Sequence, residues 1–278
     1  MPAPQASVMK QLARLQFSSF QIKVPQGWSP PSGDPAARHY SDAFTPQEKS
    51  TSPAVAAPPL VLPQSMNKYH TDAQKMHHAK IGSFIDGVCD AICSAWGMWA
   101  MDAKLVGVVV TTSLATGGLV VSTVQMGPMI IAQGPKSTPM EAKFTRAIAN
   151  AFSMQWNLYT LGIKVTGLPW YLPYAAPLPP GPVPPAPNAP CQLKLISAAS
   201  MALSKSALKP LMIANLADPQ APFHMELFDA VATAIEQCLL TYETTTMVKN
   251  VIPVAAAVGF PAGPVAGVAN MTAPGGFA

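Results

Sequence analysis

One spacing of apolar and small residues occurs three times in this chain of 278 residues, beginning at Phe84, Phe144 and Leu227. In each copy, such residues stand three, four, seven, eight, 12 and 15 positions after the first. This spacing places them on one face of an α-helix. The sequence therefore predicts three amphipathic helices of about 16–20 residues that share a core. The predicted core residues are Phe84, Ile92, Trp96, Trp99, Ile148, Phe152, Trp156, Tyr159, Val231, Ile235 and Leu239.

Each predicted helix is followed by a stretch without a charged residue, at residues 105–135, 165–193 and 250–278. The first stretch is rich in β-branched residues and contains a Gly-Gly pair, which indicates two strands around a turn at residues 115–118. The second has ten prolines between residues 169 and 190, so it must be extended. The pattern predicts a mainly helical α+β fold with four to six short amphipathic helices, extended Pro/Gly-rich segments and one β-hairpin.

The three copies also agree beyond the helices. Gly107, Gly167 and Asn250 stand 23 positions after the first residue of each copy. Glycine and asparagine readily adopt positive φ, which suits a helix exit or a turn. Residues 64–278 are therefore predicted to be a helical domain of three helix-plus-extended-segment units. Their predicted boundaries are 64–135, 136–190 and 191–278.

The N-terminal residues 1–63 contain 11 prolines and are predicted to form an extended arm that orders against neighbouring subunits. Val8, Leu12 and Leu15 favour one short helix near its start. A disordered tail is the alternative. The first residues contain no continuous apolar core of the signal-peptide type, so we expect no secretion signal.

The low charge of the chain limits the classes of partner. Charged residues make up 11% of the sequence and apolar residues 49%, whereas soluble proteins average about 25% charged residues. A freely soluble enzyme is disfavoured, and we expect the isolated monomer to associate or to be poorly soluble. The net charge of +4 is not concentrated in a basic patch, so a nucleic-acid partner is not expected.

A membrane span is also not expected, although residues 105–131 are long and apolar enough to be considered. Gly107, Gly117 and Gly118 interrupt this stretch, and no basic cluster flanks it. The prolines of the second stretch would leave backbone carbonyls unpaired in lipid. A membrane-active or membrane-inserted protein remains the principal alternative function.

No pattern typical of an active site occurs in the sequence. Cys89 and Cys93 share a helix face, but their spacing is not that of a structural zinc site, so no metal is predicted. Glycine-rich phosphate loops and nucleophile elbows are missing, and no catalytic residue, cofactor or small-molecule substrate is predicted. A third possibility is a small enzyme whose site would lie among Asp86, Asp90, His77 and His78.

Aromatic residues outside the helices are predicted to contact other subunits, because rigid aromatic side chains in exposed segments are typical interface anchors. Trp156→Ala should therefore destabilise the core, whereas Trp170→Ala should weaken assembly and leave the fold stable. The predicted interface residues are Trp28, Trp170, Tyr171, Tyr174, Phe260 and Phe277.

The blocks LPPGPVPPAPNAP and VGFPAGPVAGVANMTAPGG, which follow short helices, resemble structural proteins of tailed bacteriophages and phage-tail-like contractile injection machines. The resemblance implies a multi-copy structural subunit such as a baseplate, neck, cap or sheath-associated component. Its partners would be copies of itself and other structural subunits. It would assemble in the cytoplasm and reside in a virion or extracellular particle.

Overall fold

The computed structural model describes residues 4–20, 66–111, 114–170, 188–196, 199–249, 251–254 and 264–270. These residues form a mainly helical α+β fold, as predicted, with six α-helices and seven β-strands. The helices are α1 (Ala6–Ser19), α2 (Met66–Asp102), α3 (Met126–Gln133), α4 (Pro139–Gly162), α5 (Lys205–Leu216) and α6 (His224–Thr245). The strands are β1 (Lys104–Thr111), β2 (Leu114–Val121), β3 (Val165–Pro169), β4 (Cys191–Gln192), β5 (Met247–Val248), β6 (Val251–Val254) and β7 (Pro264–Asn270).

The chain divides into two compact bodies. The larger contains residues 1–17 and 85–278, and the smaller contains residues 18–84. In the smaller body, the described residues are 18–20 and the first half of α2. The side chains of residues 76–80 in that half are exposed.

The predicted β-hairpin is present as β1 and β2, which pair antiparallel from Lys104–Val121 to Thr111–Leu114. The chain reverses between the paired Thr111 and Leu114, and residues 115–118, where the turn was predicted, lie within β2. Gly117 and Gly118 lie inside β2 with φ of 79° and 94°. Their positive φ therefore belongs to an irregularity within the strand and not to a turn.

Five strands form one antiparallel sheet in the order β3-β2-β1-β7-β6, and β4 pairs with β5. Backbone hydrogen bonds join these two sheets. Beside the β4–β5 pair, the Asn188 N–H donates to the Val251 carbonyl at 3.2 Å. On the other side of the same segment, the Ala189 N–H donates to the Trp170 carbonyl at 2.8 Å. The strands therefore close into a ring in which the segment beginning at Asn188 lies between β6 and the end of β3.

The ring is built from three repeats, each a helix followed by strands: α2 with β1 and β2, α4 with β3 and β4, and α6 with β5, β6 and β7. The last strand of each repeat pairs with the first strand of the next, through β2–β3, β4–β5 and β7–β1. Leu105, Val165 and Val248 occupy the same position, 21 residues after the first residue of each helical stripe, and all three are buried.

Two glycines predicted to mark helix exits lie instead within strands. Gly107 has φ of 71° and stands where the pairing of β1 with β7 shifts between Leu105 and Val108. Gly167 has φ of 83° and lies in β3 where its pairing with β2 shifts. A Cβ at either glycine would meet no atom within 4 Å, so backbone conformation and not space favours glycine there. The third predicted position, Asn250, lies outside the described residues.

The first part of the predicted extended arm is helical. Met9, Ala13 and Phe17 form the buried stripe of α1, and not Val8 and Leu15 as predicted, because the helix is turned so that those two face solvent. The short helix predicted near the start of the arm is therefore present, and its residues 6–17 belong to the larger body. Residues 21–63 of the predicted arm lie outside the described part of the chain.

All predicted core residues are buried. The aromatic residues near the helix ends come together in the larger body. The Trp96 ring lies 4.7 Å from that of Trp156 and 5.1 Å from that of Tyr242, measured between ring centroids. Trp99 meets the other side of Trp156 at 4.8 Å. The three helical stripes therefore converge on one aromatic cluster.

Candidate interaction surface

Among the predicted interface residues, the structure describes Trp170. Its side chain is only 4% exposed, so its placement at an exposed interface is wrong. The residue directly follows β3, and its backbone bonds to Leu168 and Ala189 hold it where the strand ring closes. Burial raises the pKa of the Cys191 thiol. The other predicted interface residues, Trp28, Tyr171, Tyr174, Phe260 and Phe277, lie outside the described residues.

The structure reveals a different surface on α4. Met154, Leu158 and Leu161 are 46%, 51% and 57% exposed and follow one another at intervals of four and three residues. This spacing places the three side chains in one line along the helix. We call them the α4 stripe. The opposite face of the helix carries the buried Phe152, Trp156 and Tyr159, so α4 is apolar on two faces.

Local sequence determines where α4 begins and ends. Thr138 and Glu141 form a reciprocal capping box, each side chain accepting the other's backbone N–H at 3.1 Å. Pro139 follows the cap, where its missing N–H leaves no helical hydrogen bond unmade. At the other end, a Cβ on Gly162 would lie 2.1 Å from the Ala199 Cβ, so glycine permits close packing there.

The third repeat shows that the fold does not need apolar side chains at the stripe positions. Gln237, Thr241 and Thr244 on α6 stand at the places equivalent to Met154, Leu158 and Leu161, counted from Leu227 and Phe144. They too are exposed. Since the equivalent helix is polar at all three positions, the α4 stripe is not required by the packing of the repeat.

More exposed apolar side chains lie in the segment packed on the end of α4. The Lys164 N–H donates to the Ile196 carbonyl at 3.1 Å, which holds this segment beside the start of β3. Leu195 and Met201, on either side of the Ala199 contact, are both exposed. The apolar surface therefore continues beyond the helix end.

Acidic side chains in the larger body are mostly occupied by partners. Arg14 makes a bidentate contact with Asp86, and Lys10 lies 2.6 Å from Asp90. Hydrogen bonding to these carboxylates raises the pKa values of the Arg14 and Lys10 side chains. Asp86 and Asp90, the two carboxylates considered for an enzyme site, therefore bind side chains of α1. His77 and His78 are exposed on α2.

Asp102, at the end of α2, is bound to the segment that follows β2. Its carboxylate accepts hydrogen bonds from the backbone N–H and hydroxyl of Thr123 and from the Ser122 hydroxyl. These bonds, led by that from the Thr123 backbone, hold the pKa of Asp102 below its usual value. The contact ties the end of α2 to the segment that follows β2.

Three thiols are buried near α1. The Cys93 Sγ lies 3.7 Å from the Met9 Sδ, and Cys89 and Cys238 are also buried and free. Burial raises the pKa of Cys93 to about 12 and that of Cys238 to about 11, so both are thiols at neutral pH. Within the part of the chain that the structure describes, no group of three or more His, Cys, Asp or Glu residues is arranged to hold a metal ion.

No described helix has both the length and the hydrophobicity needed to cross a membrane. Comparison with known proteins found no matching family model, no matching curated protein and no matching solved structure. The candidate surface therefore rests on its own geometry. The repeated spacing in the sequence marks only the buried face of each helix. Met154, Leu158 and Leu161 form a second line on the same helix, so that spacing does not predict the α4 stripe.

Proposed function

We propose that this protein is a structural subunit of a large multi-protein particle, where it binds other subunits through the α4 stripe. The observation that carries this proposal is the line formed by Met154, Leu158 and Leu161, three large apolar side chains about half exposed on a well-capped helix. A contiguous exposed apolar surface is typical of protein–protein interaction sites.

The composition supports the same role. Only 11% of the residues are charged, and in the larger body most acidic groups are already paired within the chain. A protein surface so poor in free charge favours burial against other subunits over free solution. The compositional resemblance described above makes the proposed particle a bacteriophage virion or a contractile tail-like machine, with the subunit in its baseplate, neck, cap or sheath-associated layer.

The test is to express the tagged full chain in its native host cell, together with the other particle proteins, and to separate the lysate on a density gradient. We expect the chain to sediment with regular particles that are visible by negative-stain electron microscopy. Leu158→Lys should shift the chain toward the slowly sedimenting fractions. Thr241→Lys places the same charge at the equivalent position of α6 and should leave the chain with the particles.

Sedimentation of the wild-type chain only as free protein or as a small oligomer would contradict the proposal. Retention of Leu158→Lys in the particles, at the level of Thr241→Lys, would show that the α4 stripe is not the assembly surface.

A further inference from the structure

The partner of the α4 stripe can be specified further, on the assumption that the proposed function is correct. We infer that the stripe packs against the same stripe of a second copy of this chain, with the two α4 helices antiparallel around a two-fold axis near Leu158.

The spacing of the stripe is that of a helix–helix seam. Met154, Leu158 and Leu161 are separated by four and three residues, which corresponds to successive d, a and d positions of a heptad. Leu158 is the middle residue of the three. In an antiparallel pair centred there, Leu158 meets its own counterpart, and Met154 of each copy meets Leu161 of the other.

Charge favours an identical copy at this surface. In a two-fold contact, each residue near the axis lies opposite the same residue of the other copy. A charged residue there would face an equal charge and be repelled by it. Residues 147–163 contain no charged side chain. Exposed lysines such as Lys80, Lys104 and Lys136 lie elsewhere, on a chain whose net charge is +4. The neutral face of α4 therefore presents no charge to the same face of a second copy.

The nearest charged residue beyond the stripe, Lys164, does not oppose this arrangement. It stands six residues after Leu158. Gly162, the last residue of α4, is four residues from Leu158. At a rise of about 1.5 Å per residue, the two Gly162 residues would be about 12 Å apart along the helices. The two helix ends are therefore farther apart than the screening length of about 8 Å at physiological salt, which weakens repulsion between the Lys164 residues that follow them.

The test uses the full chain in sedimentation velocity and light scattering over a range of concentrations. We expect the wild type to form dimers, and Leu158→Lys and Leu158→Glu each to weaken self-association at least about 30-fold, as expected for a residue at the centre of an interface. Mixing the two variants should restore association, because lysine then faces glutamate across the axis. Thr241→Lys should dimerise like the wild type.

A second measurement guards against misfolding of the charged variants. Leu158→Cys should be cross-linked between copies by a short thiol-reactive reagent, and Thr241→Cys should not. Circular dichroism spectra of Leu158→Lys and Thr241→Lys at low temperature should superimpose, which shows that both variants keep the same helical content. Failure of Leu158→Cys to cross-link would overturn the inference even if the charged variants do not fold.

The remaining outcomes separate this inference from the proposed function. A wild-type chain that stays monomeric at high concentration, or a mixture of the two charged variants that stays monomeric, overturns self-pairing. If such a chain still sediments with particles, the proposed function stands and another surface covers the stripe. If the wild type dimerises through Leu158 but never enters a particle, the inference stands and the proposed function is wrong.

Discussion

Aromatic side chains from three different helices meet at the centre of the larger body. Trp96 contacts Trp156 edge-on and also lies beside Tyr242. Burial raises the pKa of the Tyr242 phenol, so it remains a neutral hydroxyl within this cluster. Edge-on aromatic pairs add about 0.5–1.5 kcal/mol each beyond the area they bury. Single residues in this cluster therefore carry a large share of the stability.

Replacement of a central tryptophan by alanine tests how much this cluster contributes to the free energy of unfolding. Trp156→Ala should lower the free energy of unfolding by about 3–5 kcal/mol, since the ring contacts Trp96, Trp99 and Tyr159. Trp170→Ala should also be destabilising, because its side chain is buried, contrary to the prediction made from sequence. Denaturant unfolding measures both. Leu240→Ala, on the exposed face of α6 and outside the α4 stripe, is the control and should change stability by less than about 0.5 kcal/mol.

A buried carboxylate gives a pH-dependent prediction. Asp229 contacts the ammonium groups of Lys205 and Lys209, each at 2.8 Å, and accepts a hydrogen bond from Gln16 at 3.1 Å. Burial acts to raise the pKa of Asp229, but these hydrogen bonds outweigh it and the pKa is lowered. A lowered folded-state pKa stabilises the protein above the unfolded value of about 3.9, and this stabilisation is lost as the pH falls through the folded value.

Asp229→Asn should therefore cost about 1–3 kcal/mol of unfolding free energy at pH 7, and the cost should shrink as the pH falls below about 4. Gln237→Asn, an uncharged change on the exposed face of the same helix, should show the same stability difference at every pH. Chemical denaturation at a series of pH values measures both. A cost for Asp229→Asn that does not change with pH would contradict the assigned ion pairs.

At the scale of elements, α1 is attached to the larger body through a narrow apolar stripe and two exposed ion pairs. Met9 is fully buried, and its sulfur lies against Cys93. The pairs Lys10–Asp90 and Arg14–Asp86 repeat at intervals of four residues on both helices. Exposed ion pairs each contribute only about 0–1 kcal/mol, so they orient the helix, and burial supplies most of its binding energy.

Substitutions on the two faces of α1 should separate these contributions. Met9→Ala should lower the unfolding free energy by about 2–5 kcal/mol, because it leaves a cavity beside Cys93. Leu15→Ala, on the exposed face, should change it by less than about 0.5 kcal/mol. Equal effects of the two variants in denaturant titrations would show that α1 packs through a different face.

At the scale of the whole molecule, the segment beginning at Asn188 bonds next to both edge strands of the five-stranded sheet, through Trp170 after β3 and Val251 in β6. An open sheet would present unpaired backbone N–H and C=O groups at its edges, which invites non-specific pairing with other chains. Asn188 contributes to the closure with its side chain, which accepts the Val251 N–H at 2.9 Å and donates to the Val248 carbonyl at 3.2 Å.

Opening the ring should destroy the cooperative fold. A chain that ends at residue 249 lacks β6 and β7, which leaves β1 without one of its two partners. We expect this chain to aggregate or to lose its near-ultraviolet circular dichroism. Removal of residues 271–278 alone keeps every described strand and should leave the melting temperature unchanged. Cooperative unfolding of the 1–249 chain at the wild-type temperature would contradict a role of ring closure in stability.

The sequence predicted best what depends on local periodicity. A helical stripe can be read from neighbouring turns, and residues such as Ile92, Phe152 and Ile235 are buried as that stripe requires. The first hairpin was predicted for the same reason, since β-branched residues and a nearby chain reversal are local signals. The orientation of α1 was missed, because Val8 and Leu15 are as apolar as the residues that the helix buries.

The sequence by itself determined the three helices, their buried faces and the extended strands that follow them, because hydrophobic periodicity and backbone preference act over a few residues. Only the tertiary structure decided which strands pair, that Trp170 is buried at the closure of the ring, and that Met154, Leu158 and Leu161 remain exposed. These outcomes depend on hydrogen bonds such as that between Ala189 and Trp170, and on packing between segments far apart in the chain. A side chain's chemistry does not specify which distant segment will cover it.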